Sequence, residues 1–279
     1  SSTISGGIAN FSVKLYKGFT GAGDREVELF INGVSKGTST PFDDFNEHIF
    51  SVSGINISGN IIIEIRNIRS KQVIVDDITW TAYSNDLTVS SDQTISSAVS
   101  YDNVTVDSGQ TLTIAKTGSL TISGNLTNNG TVTLNSDSAN YSSLIVQGSS
   151  TGNITYKRHV ADEGTDEWDF IGSPVIGQDL QNLIDNNSTL ATNGSQVAIG
   201  VFNNNAGSDN AAAMYTNYNT TGNSGTTLVS GQGFAMATDE GSTTATVDFT
   251  GTINTSDVSF AIDDASSSNT NYGQFNLVA

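Results

Sequence analysis

The feature that most constrains the fold is a short motif that recurs every eight residues near the middle of the chain. An apolar residue, a threonine and a second apolar residue follow one another at 104–106, 112–114 and 120–122. Glycines punctuate this segment, at Gly109, Gly118, Gly124 and Gly130. Three-residue strands joined by glycine corners predict either a short β-solenoid or a meander of short strands. The sequence leaves these two alternatives open.

Residues 1–84 have a different pattern, which is typical of an antiparallel β-sandwich with one face buried. Apolar and polar residues alternate over 25–31 and 61–65, and Asn32-Gly33 is the strongest two-residue signal for a hairpin. Further short strands are predicted at 34–38, 48–52 and 72–80. We therefore predict three domains, a sandwich over 1–84, a β-repeat region over 85–156 and a β-rich domain over 157–279.

The third domain contains the one segment with a helical pattern. Leu180, Leu183 and Ile184 share one helix face within residues 177–185. Strands are predicted at 200–202, 233–237, 246–249 and 258–262. The prediction for the whole chain is an all-β fold with one short helix.

Charge and composition exclude several functions. Residues 84–279 carry 19 acidic and three basic side chains, so their field repels phosphate backbones and argues against nucleic-acid binding. The chain has no cysteine, which excludes disulfides, thiol catalysis and thiolate metal sites. No apolar run approaches the roughly 20 residues that a membrane-spanning helix needs, so we expect no membrane insertion.

Acidic residues provide two candidate Ca²⁺ sites, because calcium prefers oxygen ligands. Asp76 and Asp77 interrupt an apolar strand, and an unpaired buried carboxylate is costly. Binding of calcium by Asp76 would remove this cost; a buried hydrogen bond for one acid and exposure on the outer face for the other are the alternatives. The second candidate is the cluster of Asp162, Asp166 and Asp169, although its spacing matches no EF-hand loop. A solvated acidic turn is the alternative explanation for this cluster.

Aromatic residues are the candidate sugar-binding groups, because the apolar faces of sugars stack on aromatic rings. The predicted ligand-binding residues are Trp80, Tyr83, Trp168, Tyr215 and Tyr218. Tyr215 and Tyr218 lie near Asn- and Gly-rich loops, where binding residues concentrate. A core position is the alternative for Trp80, since it lies on a predicted strand.

No catalytic constellation is evident. The two histidines, His48 and His159, lack the pattern of a Ser–His–Asp triad. Residues 148–152 match the letters Gly-X-Ser-X-Gly and would nominate Ser150, but a strand is predicted after them where the nucleophile elbow needs a helix. We therefore expect no enzymatic activity.

Three stretches of the first 84 residues match a known pattern: Phe11-Ser-Val-Lys-Leu15, Glu28-Leu-Phe-Ile-Asn-Gly33 and Val75-Asp-Asp-Ile-Thr-Trp80. Through them this part resembles a jelly-roll module of secreted multidomain proteins of the Bacteroidetes. Such modules resemble carbohydrate-binding jelly rolls, in many of which the aspartate equivalent to Asp76 ligates a structural Ca²⁺. The resemblance implies further strands before Ser1.

Two stretches of the remainder also match a known pattern, residues 118–132 and Trp168-Asp-Phe-Ile-Gly-Ser-Pro-Val175. Through them it resembles the β-repeat region of flavobacterial proteins exported by type IX secretion. In such proteins a further segment and a sorting domain follow, so the resemblance implies that the third domain is truncated and that the protein is secreted or on the cell surface.

Together these features predict a non-catalytic segment that acts in adhesion, scaffolding or glycan binding, with polysaccharides or other surface proteins as partners. Two alternatives stay open. One is a part of a secreted polysaccharide-degrading enzyme with a pair of carboxylates, and the other is a structural stalk or filament component.

Overall fold

A computed structural model describes residues 3–165, 168–206, 211–241, 246–268 and 271–278. The chain divides into two compact units, Ser1–Asn85 (unit 1) and Asp86–Ala279 (unit 2). Each unit buries its own cluster of apolar side chains. The predicted all-β class with one short α-helix is confirmed.

Unit 1 contains two three-stranded antiparallel sheets. Its strands are β1 (Asn10–Lys17), β2 (Val27–Ile31), β3 (Val34–Thr38), β4 (His48–Val52), β5 (Ile63–Asn67) and β6 (Val73–Thr81). They pair in the orders β4-β1-β6 and β3-β2-β5. Asn32 and Gly33 both have positive φ angles, as a type I′ hairpin between β2 and β3 requires.

The core of unit 1 forms because β1 and β2 alternate strictly. Phe11, Val13 and Leu15 of β1 are buried in one cluster with Val27, Leu29 and Ile31 of β2. The strands β1 and β2 therefore each bury one face, as the alternation of β2 predicted. By contrast, β6 is exposed along both faces after Val73, so its apolar sequence does not mark a buried face. The sequence pattern alone had not assigned β1 as a strand.

Unit 2 contains the remaining 17 strands and the helices. The strands of its first part are β7 (Leu87–Val89), β8 (Gln93–Ile95), β9 (Ala98–Tyr101), β10 (Val104–Val106), β11 (Thr111–Ile114), β12 (Ser119–Ile122), β13 (Leu126–Asn128), β14 (Thr131–Asn135), β15 (Ser143–Val146), β16 (Ser150–Thr151) and β17 (Ile154–His159). Those of its second part are β18 (Asp169–Gly172), β19 (Thr192–Asn193), β20 (Gln196–Phe202), β21 (Tyr215–Asn219), β22 (Gly233–Met236) and β23 (Thr246–Gly251). The α-helix α1 spans Leu180–Asn186, and 3₁₀ helices span Glu163–Thr165 and Ala211–Met214.

The first part of unit 2 is a parallel β-solenoid of about three turns, so the structure decides against the meander. Its three faces are the sheets β7-β10-β13-β16, β8-β11-β14-β17 and β9-β12-β15. The eight-residue recurrence is the spacing between successive faces of one turn, since its three copies are β10, β11 and β12. Stacking joins residues of different turns on the same face. Leu120, for example, pairs with Val99 of the turn before it and with Leu144 of the turn after it.

The corners of the solenoid explain its glycines and asparagines. A β-carbon on Gly130 would overlap the carbonyl oxygens of Asp107 and Gln110 in the turn before it. Along another corner, the Oδ1 atom of Asn103 accepts a hydrogen bond from the backbone N–H of Asn125 at 2.9 Å. The Oδ1 atom of Asn125 accepts one from the N–H of Ser149, also at 2.9 Å. These bonds fix the register from one turn to the next.

The second part of unit 2 is an antiparallel sheet in the order β18-β22-β20, with β19 and β21 both paired to β20. Its core is continuous with that of the solenoid, and β23 adds to the solenoid by antiparallel pairing with β17. Helix α1 begins after Asp179, whose side chain accepts a hydrogen bond from the N–H of Asn182. This helix confirms the predicted apolar face, since Leu180 and Leu183 are buried.

One predicted strand is wrong. Residues 258–262 are mostly apolar but form no strand, and the side chains of Val258 and Ile262 are exposed. Apolar composition therefore marks no buried strand here, since this segment has no backbone pairing partner within the described part of the chain.

Candidate aromatic binding site

The floor of the candidate site is a strip of small residues across the antiparallel sheet β18-β22-β20 of unit 2. Along β22 the side chains alternate, so that Phe234 and Met236 enter the core while Gly233 and Ala235 lie on the opposite face. Ala235 pairs with Gly200 of β20, and Gly200 pairs with Asn217 of β21. The small residues at the centre of the two middle strands, Gly200 and Ala235, leave a trough between the outer strands.

Aromatic side chains form the walls of this trough. Phe170 of β18 pairs with Ala235 on one side, and Tyr215 belongs to β21 on the other. The rings of Phe170 and Tyr215 are nearly parallel, with centroids 6.2 Å apart and an interplanar angle of 13°. The ring of Phe202 contacts the ring of Tyr215 edge-on, with centroids 5.3 Å apart. Tyr215 is therefore held between two aromatic neighbours.

Trp168 completes a cavity of about 330 Å³, whose lining residues are Trp168, Phe170, Tyr215, Asn217 and Ala235. This volume lies near the lower limit of small-molecule sites, which range over roughly 300–1,000 Å³. Phe170 is 62% exposed and Trp168 is 39% exposed, so both rings present apolar surface to solvent. The Tyr215 phenol is a neutral hydrogen-bonding group, and partial burial raises its pKa further above its ordinary value.

The arrangement suits a ligand with an apolar face and hydroxyl groups. Rings of Trp, Phe and Tyr provide stacking surface, while the Asn217 amide and the Tyr215 hydroxyl can donate and accept hydrogen bonds. The residues that line the cavity include no charged side chain. Chemically, this combination fits a neutral sugar ring better than an ion.

Of the aromatic residues predicted in unit 2, the structure brings together Trp168 and Tyr215. Tyr218 does not line this cavity, since it packs against the hydrophobic core, where burial raises the pKa of its phenol. Sequence reasoning missed Phe170, which lies two residues after Trp168 and lines the same cavity. That spacing was the signal that could have identified it.

In unit 1, Trp80 of β6 is half-exposed rather than in the core. It borders a shallow depression of about 250 Å³ on the sheet β4-β1-β6, together with polar side chains that include Ser12, Ser51 and Thr79. Tyr83 does not line this depression. Trp80 is the exposed aromatic ring of this depression, because Phe11, which also lines it, is buried.

The calcium sites stay predictions. Asp76 is exposed, and its Oδ1 atom accepts a hydrogen bond from the N–H of Asp77 at 2.8 Å. Asp162 is buried, and the Oδ2 atom of Asp169 accepts a bond from the N–H of Ala161. Asp166 lies outside the described residues. Within the described residues, no group of three or more acidic or histidine side chains is placed to hold a metal ion.

The structure also shows where the residues considered for catalysis lie. Ser150 belongs to β16, and the strand β17 follows it, so the strand–turn–helix of a nucleophile elbow is not formed at this position. His48 stacks on Phe42 with centroids 4.2 Å apart, and its Nε2 atom lies 2.9 Å from Asp44. His159 ends β17. Ser150 and His48 lie in different units.

The three basic residues of unit 2 are engaged within it. Lys116 pairs with Asp137, and Lys157 pairs with Asp248 at 2.7 Å. Arg158 lies over the ring of Tyr141 at 4.1 Å and donates to the carbonyl oxygen of His159. The strong negative charge of unit 2 is therefore not balanced by free basic side chains at its surface.

Comparison with models of protein families, with curated proteins and with solved structures found no match. Among the described residues, no helix has the length and apolar character needed to cross a membrane.

Proposed function

We propose that this chain is a non-catalytic, glycan-binding segment of a secreted cell-surface protein, and that the aromatic cavity of unit 2 is its sugar site. The observation that carries the proposal is the trough in which Trp168, Phe170 and Tyr215 surround a floor of Ala235. Binding surfaces are built in this way because exposed aromatic rings and amides recognise sugars without large rearrangement.

Rigid support favours this role. Phe170 and Tyr215 stand on strands of one sheet, and β20 and β22 lie between these strands. Side chains on strands are positioned more accurately than side chains on loops, so the rings present a preformed surface. A preformed surface loses less conformational entropy when the ligand binds.

The negative charge of unit 2 favours neutral glycans over anionic ones. Unit 2 has a strong excess of acidic residues, and polyanions such as DNA or polyuronates are repelled by such a field. Neutral polysaccharides avoid this repulsion and need only stacking and hydrogen bonds. We therefore expect neutral glycans as ligands, and adhesion to a glycan-covered surface as the biological outcome.

The test is affinity gel electrophoresis of the whole chain against mixed-linkage β-glucan, xylan, mannan and polygalacturonate, beside a DNA gel shift at about 0.15 M salt. We expect at least one neutral polysaccharide to retard the protein and polygalacturonate and DNA to have no effect. Trp168→Ala and Phe170→Ala should each weaken retardation by about threefold to tenfold, the range for one stacked ring.

Phe45→Ala is the matched control. Phe45 is 64% exposed, close to the value for Phe170, but it belongs to unit 1. Its removal should leave retardation unchanged. The proposal is wrong if no neutral polysaccharide retards the protein, or if the Phe45 variant loses as much as the Phe170 variant. The first outcome would favour scaffolding without glycan binding.

A further inference from the structure

We propose that Tyr272 and Phe275 form a second sugar-stacking platform, which extends the cavity of unit 2 into a groove for consecutive units of one linear polysaccharide. This inference rests on the proposed function, because it takes the first cavity to be a sugar site. It adds that the ligand is the interior of a chain and not a single terminal sugar.

The two platforms meet at Tyr215. A cavity of about 260 Å³ is lined by Phe202, Tyr215, Tyr272, Phe275, Asn276 and Leu277. Tyr215 also lines the cavity of Trp168 and Phe170, so its ring separates two adjoining spaces. The rings of Tyr272 and Phe275 lie 6.2 Å apart, and Phe275 is 60% exposed.

The segment that carries the second platform is tied to the sheet by several hydrogen bonds. The N–H of Gly233 donates to the carbonyl oxygen of Leu277 at 3.1 Å. Asn276 exchanges two bonds with the backbone of Asp263, and the Asn204 amide donates to the carbonyl oxygen of Gly273. The platform is therefore positioned by the body of unit 2.

Glycine makes this attachment possible. A β-carbon on Gly233 would overlap the side chain of Leu277, so the close approach of the segment requires the absence of a side chain there. Gly233 thus has two roles. It leaves its face of β22 without a side chain, and it makes room for Leu277 in the segment that carries the second platform.

The volumes of the two cavities support a groove that is divided into spaces of about one sugar unit each. The first cavity, about 330 Å³, lies near the lower limit for small-molecule sites, and the second, about 260 Å³, lies below it. Neither alone accommodates an oligosaccharide, so a longer sugar chain has to extend over both. A ligand that gains from both must therefore continue past Tyr215.

The experiment measures affinity against chain length by isothermal titration of the whole chain with cellobiose, cellotetraose and cellohexaose. For the unmodified protein we expect the affinity to rise by about tenfold from cellobiose to cellotetraose. Phe275→Ala should remove most of that rise, so that cellotetraose binds this variant little better than cellobiose does. Phe170→Ala should weaken all three ligands, and Phe45→Ala should weaken none.

Two results overturn the inference alone. One is equal affinity of the unmodified protein for cellobiose and cellohexaose, and the other is a Phe275→Ala variant that keeps the full rise with chain length. If cello-oligosaccharides do not bind, the same series is made from the polysaccharide that retards the protein. Failure of every polysaccharide to bind removes the proposed function itself, so the two failures are distinguishable.

Discussion

Replacing Leu120 by alanine should unfold unit 2 at a lower temperature without affecting unit 1. The Leu120 side chain is fully buried, and it stacks between Val99 and Leu144 of the turns on either side. Truncation removes apolar contact with both neighbours and leaves a cavity, because paired strands on each side prevent collapse. Leucine-to-alanine changes at such positions cost about 3–5 kcal/mol.

The expected shift follows from the size of the unit. Unit 2 comprises roughly 200 residues, for which a loss of 1 kcal/mol lowers the melting temperature by about 2–4 °C. A cost of about 3 kcal/mol therefore predicts a decrease of about 6–12 °C. Since the solenoid and the sheet that follows it share one core, we expect this decrease for unit 2 as a whole.

Differential scanning calorimetry can separate the two units, because each has its own core. Leu29→Ala is the matched variant, since Leu29 is fully buried in unit 1 and should shift only the other transition. Thr121→Ala, next to Leu120 but on the outer face, should change stability by less than about 0.5 kcal/mol. If Leu120→Ala shifts both transitions equally, the division into separate cores is refuted.

Two further predictions concern unit 1. Hydrogen bonds from the Gly23 N–H and from Lys17 lower the pKa of Asp43 to about 2. This stabilisation is complete above the unfolded value of about 3.9 and is lost as pH falls towards 2, so the melting temperature should drop there, and Asp43→Asn should flatten the profile. If calcium binds, chelation should lower the melting temperature of unit 1, and Asp76→Asn should abolish that effect. Identical pH profiles of the unmodified protein and Asp43→Asn would contradict the first prediction. A calcium-dependent melting temperature that Asp76→Asn leaves unchanged would contradict the second.

Local patterns in the sequence predicted the elements of the fold but not how they pair. The alternation at β2 and the Asn32-Gly33 turn are local, and both predictions are confirmed. The eight-residue recurrence indicated short strands, yet it left the solenoid undecided, because stacking joins Leu120 to residues more than twenty positions away.

The candidate site was harder to predict for the same reason. Trp168 and Tyr215 were recognised as aromatic residues that could bind sugars. Their proximity depends on the order β18-β22-β20-β21, which is not the order of these strands along the chain. The role of Gly200 and Ala235 as a floor follows only once that pairing is known, since a small residue gives no sign of binding by itself.

Tryptophan fluorescence provides the most direct test that the aromatic cavity of unit 2 is the glycan site. The chain has two tryptophans, Trp80 in unit 1 and Trp168 in unit 2, so Trp80→Phe leaves Trp168 as the single reporter. Titration of this variant with the neutral polysaccharide that retards the protein should shift the emission to shorter wavelength and saturate. The Trp168→Phe variant should show no change. A saturable shift in the Trp168→Phe variant, with none in the Trp80→Phe variant, would place the site in unit 1 and contradict the account.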